Sequence, residues 1–267
     1  MDRITESLIT ELLANLEISS EGESKDFEKL TNYTVVSNEY NKTFDIETLT
    51  VGDGNDTGID GIAIIVNGQL VESTDEVDDL LEKNNSLEIE YLFVQSKTSS
   101  SFDSGDINTF LFGVLDFFAT NPKLVRNEDI KRFAEVSNYI IGKAPRFREN
   151  PTIKLYYITT GKWTDDTNLK AVIENGVGNL EQTNLFEKVI FNPFGARELA
   201  TAYRKTKESI STTITFSNRI TLPKINGVSQ AYIGLLPFSE FLKIVSDGED
   251  NILNVFEDNV RDFSRRQ

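Results

Sequence analysis

The chain contains neither cysteine nor histidine. The first absence excludes disulfides and thiolate metal sites. The second removes Ser-His and Cys-His catalysis, His-ligated zinc and imidazole general bases. Any metal must then be held by oxygens, which favours Mg2+ or Mn2+ over Zn2+. Long hydrophobic runs are missing as well: none approaches the ~20 residues of a membrane span, and the acidic N-terminus does not read as a signal peptide. A cytoplasmic protein with no membrane partner is expected. Basic side chains are scarce early on. The first hundred residues hold 6 Lys and Arg against 22 Asp and Glu, while the remaining 167 hold 21 of each, so the net charge of −16 arises wholly in the first part. That balance counts against tight, non-specific nucleic-acid binding, although a carboxylate-rich region suits divalent cations. A chain of 267 residues can bury one good-sized core, or one core plus a smaller lobe.

The stretch around which the chain is organised runs from residue 52 to 97. Gly52-Asp53-Gly54-Asn55-Asp56-Thr57-Gly58 is a polar, glycine-rich turn that delivers Asp60 to the mouth of an apolar β-run, Ile59–Val66. A second apolar β-run, Tyr91-Leu92-Phe93-Val94, ends in Gln95-Ser96-Lys97. Side chains alternate along a strand, so Gln95 and Lys97 share a face. If the two strands pair, Asp60, Gln95 and Lys97 converge at one point of a sheet. A carboxylate and an amide carbonyl are hard oxygen ligands for Mg2+, and a neighbouring lysine can orient or deprotonate a water. This is a minimal apparatus for metal-assisted phosphodiester hydrolysis. Asp53 and Asp56 are further carboxylates in the turn, but Asx residues in such turns usually serve backbone geometry. The glycines lack Walker or dinucleotide spacing.

These residues resemble the Asp…(Asp/Glu/Gln)-x-Lys signature of restriction-endonuclease-like nucleases, in the glutamine-bearing variant. Gly58-Ile59-Asp60-Gly61-Ile62-Ala63, the run from Phe93 through Lys97 to Phe102, and Asn259-Val260-Arg261 are similar to the AIPR proteins, a bacterial abortive-infection, phage-resistance family. The resemblance implies a Mg2+- or Mn2+-dependent nuclease domain with Asp60, Gln95 and Lys97 as catalytic residues. In that superfamily an acidic residue from an early helix often joins the metal, which makes Glu28 the candidate third ligand beside Asp60 and Gln95. The plainer reading of Glu28 is a surface glutamate. DNA or RNA is the implied partner. The family's proteins continue beyond the Asn-Val-Arg motif, so the chain is expected to be the N-terminal portion of a longer protein.

The rest of the chain reads as an α/β fold, a mixed sheet flanked by helices, with a small C-terminal α+β extension. Apolar periodicity predicts helices over Ile4–Leu16 and from Ser24 to Val36, a first strand over Phe44–Val51, and an Asn67-Gly68 hairpin turn. A short acidic helix spans Asp75–Lys83, and the longest, central strand is Leu87–Lys97. Beyond it lie an apolar helix over Asp106–Phe118, another over Asn127–Ile141, and a basic loop, Lys143–Arg148, that could meet a nucleic-acid backbone or be merely solvated. Strands over Ile153–Thr160 and Lys188–Phe191 alternate with helices over Asp165–Ile173 and Arg197–Lys207, as right-handed crossovers require. Lys162 and Trp163 either flank the site or plug the core. A boundary near residue 209 separates the α/β domain, 1–209, from a further lobe, 210–267, made of a hairpin turning at Asn226-Gly227 and of helices over Pro237–Val245 and Asn251–Phe263.

Three functions are compatible with this reading. The leading one is a Mg2+- or Mn2+-dependent nuclease in a phage-defence protein. Replacing Glu by Gln removes one charge from the metal site, which leaves room for a nuclease fold that no longer cuts and instead recognises nucleic acid or protein. The third is a homo-oligomerisation module, suggested by the 18 phenylalanines.

Overall fold

Tyr91-Leu92-Phe93-Val94 is apolar on both faces because its strand lies in the middle of the sheet. In the computed structural model, which describes residues 1–40, 42–51, 54–207, 213–223 and 231–246, this strand is β3, Ile89–Lys97. It lies between β1, Gly61–Val66, and β4, Thr152–Thr159. The five-stranded order is completed by β2, Gln69–Leu70, outside β1, and by β5, Lys188–Phe194, outside β4. β1 runs antiparallel to β2 and β3, whereas β3, β4 and β5 are mutually parallel. The sheet is therefore mixed, and helices cover both faces.

Alternation along β3 sorts the core into two sides. Tyr91 and Phe93 point into a cluster with Ile107, Phe110 and Val114 of α5, Ser104–Phe117, Ile130 and Phe133 of α6, Glu128–Gly142, and Leu169 and Leu180 of α7, Thr167–Glu181. Val94 and Leu92 point the other way. Val94 packs with Leu8 and Leu12 of α1, Arg3–Leu16, with Phe27 and Leu30 of α2, Glu23–Glu39, and with Leu199 and Tyr203 of α8, Ala196–Lys205. Leu92 joins Val36 of α2 and Leu49 of α3, Ile46–Leu49. The acidic helix α4, Thr74–Asn84, starts at a capping box between Ser73 and Glu76 and buries Val77 on the α5 side. Its reciprocal hydrogen bonds satisfy two backbone donors at the helix start.

Two elements depart from the sequence expectation. Phe44–Val51 does not form a strand. The Asp45 carboxylate caps the Glu47 amide and starts the one-turn helix α3, which buries Ile46 and Leu49; only Thr50 keeps an isolated bridge, to Gly61. The three-residue spacing of Ile46 and Leu49 fits one face of a helical turn better than a two-residue alternation. Helix α7 runs through to Glu181 although Gly176-Val177-Gly178 looks like a stop signal. A Cβ at Gly176 would come within 2.5 Å of the Leu111 side chain, so this glycine lets α5 and α7 approach. By contrast, Asn67 (φ 51°) and Gly68 (φ 69°) form the expected two-residue turn between Val66 and Gln69, both with positive φ as a type I′ turn requires.

The chain divides into two compact units, Met1–Tyr40 with Phe44–Thr206, and Asn41–Thr43 with Lys207–Gln267. Within the second, β6, Asn218–Thr221, pairs antiparallel with β7, Tyr232–Leu235, and α9 spans Phe238–Val245. The turn at Asn226-Gly227, the helix expected over Asn251–Phe263, the Asn259-Val260-Arg261 motif and Asp53 lie outside the described residues.

Candidate metal-binding site at the end of the central strands

Asp60 immediately precedes β1 and extends its ladder. Its amide donates to the carbonyl of Val94, the register partner of Gly61, at 2.8 Å, and its carbonyl accepts from the Val51 amide at 3.0 Å. The next inter-strand bond is made by the side chain: Oδ2 accepts the Ser96 amide at 2.7 Å. Oδ2 also accepts the Ser96 hydroxyl at 2.9 Å and Nε2 of Gln95 at 2.9 Å. None of the described residues donates to Oδ1. The carboxylate is therefore fixed by the register of β1 against β3, not by a flexible loop.

The environment opposes its charge. Burial pushes the Asp60 pKa up to about 7, and the negative charges of Glu28 and Asp56 push in the same direction; the hydrogen bonds from the Ser96 amide and hydroxyl oppose them without prevailing. Desolvation of a carboxylate outweighs a few hydrogen bonds when the group is this deeply enclosed.

Gln95, on β3, is buried with 3% of its surface exposed. Its Nε2 donates to Asp60 and to the Ser96 carbonyl at 3.1 Å, while its Oε1 is buried with no hydrogen-bond partner among the described residues. An acceptor left unpaired in a protein interior costs about 1–3 kcal/mol, and such an atom beside a carboxylate is where an oxygen-seeking cation would fit. Lys97 follows on the same face, half-buried, opposite Thr159 of β4. Among the described residues its ammonium makes no ion pair. Glu28 is half-buried on α2, pairs with Lys25 at 2.9 Å and accepts from the Ser24 hydroxyl at 3.4 Å. It lies near enough for its charge to act on Asp60. Asp60 and Gln95 thus touch directly, the charge of Glu28 acts on Asp60 through space, and Lys97 stands two residues further along the strand from Gln95. No group of three or more acidic side chains able to hold a metal occurs among the described residues. A divalent cation placed here would draw on the Asp60 carboxylate and the Gln95 amide oxygen, while Glu28, held by Lys25 and Ser24, contributes charge.

Three residues at this centre were missed by sequence reasoning. Ser96 is the spacer of Gln-x-Lys, and alternation sends its side chain to the opposite face from Gln95, yet it supplies two of the donors to Asp60. Asn32 on α2 donates from Nδ2 to the Asp60 carbonyl at 3.1 Å. It approaches so closely that a Cβ at Gly61 would sit 2.2 Å from its Oδ1. A buried Asn four residues after Glu28 was the signal that could have revealed it, because i and i+4 share a helix face. The third, Tyr157, is the register partner of Gln95 on β4.

The other sequence candidates take structural places. Asp56 accepts the Gly58 amide at 2.7 Å, an Asx turn. The loop after β3 is stapled to the loop after β4: the Thr160 amide donates to the Ser99 carbonyl, and the Thr160 hydroxyl to those of Thr98 and Ser99. Trp163 packs edge-on against Phe102 at 5.0 Å and borders the core. The basic loop belongs to the other end of β3, where Leu87 bridges Phe147. There Lys143 pairs with Asp78 and Arg148 with Glu88, both at 3.1 Å, and Arg146 donates to Asn85. No helix among the described residues is long and apolar enough to cross a membrane. Comparison with protein-family models, characterised proteins and solved structures yields no match to this chain.

Proposed function

We propose that the chain is a Mg2+- or Mn2+-dependent nuclease, hydrolysing phosphodiester bonds of DNA or RNA within a phage-defence protein of the AIPR kind, on a restriction-endonuclease-like sheet. The observation that supports this reading is a buried carboxylate that accepts from Nε2 of Gln95, whose Oε1 has no hydrogen-bond partner among the described residues, at the end of two paired strands and two residues from a lysine without an ion pair among the described residues. Asp60 and Gln95 would hold the cation, with Glu28 as a further anionic group. When bound, the cation supplies Lewis-acid polarisation of a phosphoryl oxygen and a water of lowered pKa. Ser96 and Asn32 keep Asp60 in place. Lys97 stabilises negative charge that develops on the phosphate as water adds to phosphorus and the P–O bond to the leaving sugar oxygen breaks.

The test is cleavage of single- and double-stranded DNA and RNA by wild type, Asp60→Ala and Lys97→Ala in Mg2+, Mn2+ and EDTA. Metal-dependent cutting by wild type, lowered by two or more orders of magnitude in either variant, is the expected result. Equal cleavage by all three proteins would place the activity elsewhere. A second reading, a nuclease fold that binds without cutting, is favoured by one observation: the Asp60 surroundings stabilise its neutral, protonated form. Binding that persists with no cleavage in either metal would select it.

A further inference from the structure

Ile153, Leu155 and Tyr157 occupy alternate positions of β4 and point into the same apolar cluster beneath α5. Tyr157 is fully buried there, its ring against Phe102 and Phe110 at centroid distances of 6.0 and 6.2 Å. A phenylalanine would fill this space equally well. The hydroxyl adds a polar atom that is buried with no hydrogen-bond partner among the described residues. The neighbouring buried tyrosines are not treated this way: Tyr91 meets the Ser137 hydroxyl at 3.2 Å, and Tyr156 donates to Glu39. An uncompensated hydroxyl in an apolar core needs an explanation beyond packing.

Its position supplies one. Tyr157 is the Cα partner of Gln95 in the parallel β3–β4 pair, so both side chains leave the sheet on the same face at the same level. Two partnerless buried polar atoms, Gln95 Oε1 and the Tyr157 hydroxyl, therefore stand on adjacent strands. The charges that act on the Tyr157 hydroxyl are those of Asp106, Asp103 and Asp60. Asp103 is engaged at the start of α5, where its Oδ1 accepts the Gly105 and Asp106 amides. The hydroxyl is thus a neutral donor and Oε1 a neutral acceptor, set in a region of negative charge. A hydrated divalent cation suits that combination: the metal takes the amide oxygen, and a coordinated water offers its oxygen to the phenol.

We propose that Tyr157 is a positioning residue of the Asp60–Gln95 centre, donating a hydrogen bond to a water in the shell of the divalent cation held there. This rests on the reading of Asp60 and Gln95 as cation ligands. Outer-shell partners of this kind contribute about 10–100-fold to metal affinity.

The experiment compares the wild-type 267-residue chain, Tyr157→Phe and Tyr91→Phe by calorimetric titration with Mn2+ alone, without nucleic acid. Water-proton relaxation of the bound Mn2+ and melting temperature in EDTA are recorded beside it. Tyr157→Phe is expected to bind Mn2+ about 10–100-fold more weakly, with altered relaxation and a melting temperature equal to or above that of wild type. Tyr91→Phe should leave Mn2+ binding and relaxation unchanged. A packing role alone would leave both Mn2+ readouts at wild-type values in Tyr157→Phe, and that result overturns the proposal while sparing the cation site. Absence of Mn2+ binding by wild type overturns both.

Discussion

At the scale of single residues, Asp60 is the buried acid at the centre of the proposed site, and its ionisation is linked to stability. An acid whose folded pKa lies above its unfolded value makes the folded state less stable as pH rises. Below about pH 4 both states hold the proton. Between there and about 7 the unfolded chain ionises first, stability declines, and above that the loss is complete. Asp60→Asn keeps an oxygen for the Ser96 donors and cannot ionise. It should melt above wild type at pH 8, by a margin of order 2–4 kcal/mol at ~1.4 kcal/mol per pKa unit, and the gap should close near pH 4. Calorimetric melting across that range checks it, and a pH-independent gap would contradict the account. Gln95→Glu adds a second carboxylate beside the first, so Mg2+ and Mn2+ should bind more tightly in a calorimetric titration. Unchanged affinity would remove Gln95 from the ligand set. The sequence analysis brought Asp60 and Gln95 together on the condition that their strands pair, and β1 and β3 do pair. The contribution of Ser96 did not, since it depends on the register between two strands, which a one-residue shift would abolish.

At the scale of elements, the glycine-rich turn is held by α5. Gly54, Asn55, Thr57 and Gly58 all have positive φ, and Thr57, at 58°, is β-branched and strained there. The helix accepts the turn through Gly113, where a Cβ would fall 2.0 Å from the Thr57 carbonyl oxygen. Gly113→Ala should therefore destabilise the protein by about 1–3 kcal/mol and, because the turn leads directly into Asp60, weaken Mn2+ binding too. Gly142→Ala, at the end of α6 with nothing near its Cβ site, should be neutral or slightly stabilising. Thermal melts of the pair make the comparison, and equal effects would show that the turn does not depend on α5. Elements with their own local signals were legible in the sequence: the Asn67-Gly68 turn, the short acidic helix α4 and the apolar face of α5. Those decided by their neighbours were not. The Asp45 cap turned an apparent strand into α3, and Leu111 gave Gly176 a packing role inside α7.

At the scale of the whole molecule, the sheet and its candidate centre lie within one compact unit that ends at Thr206. A fragment of residues 1–206 should fold cooperatively and bind Mn2+ as the full chain does. Loss of the cooperative transition would show that the second unit is needed for the fold. If the proposed function holds, the excess of acidic residues in the first hundred positions makes bridging by a divalent cation the route to phosphate, and nucleic-acid binding should weaken when EDTA replaces Mn2+. The two borders of the sheet carry a different consequence. β2 is only two residues long, and β5 carries Lys188 and Pro193, so neither offers a long run of free amides for another chain to recruit. Strand-by-strand polymerisation of the native protein is thereby discouraged. Concentrated solutions should stay colloidally stable below the melting temperature, and aggregation should begin only once the sheet has opened.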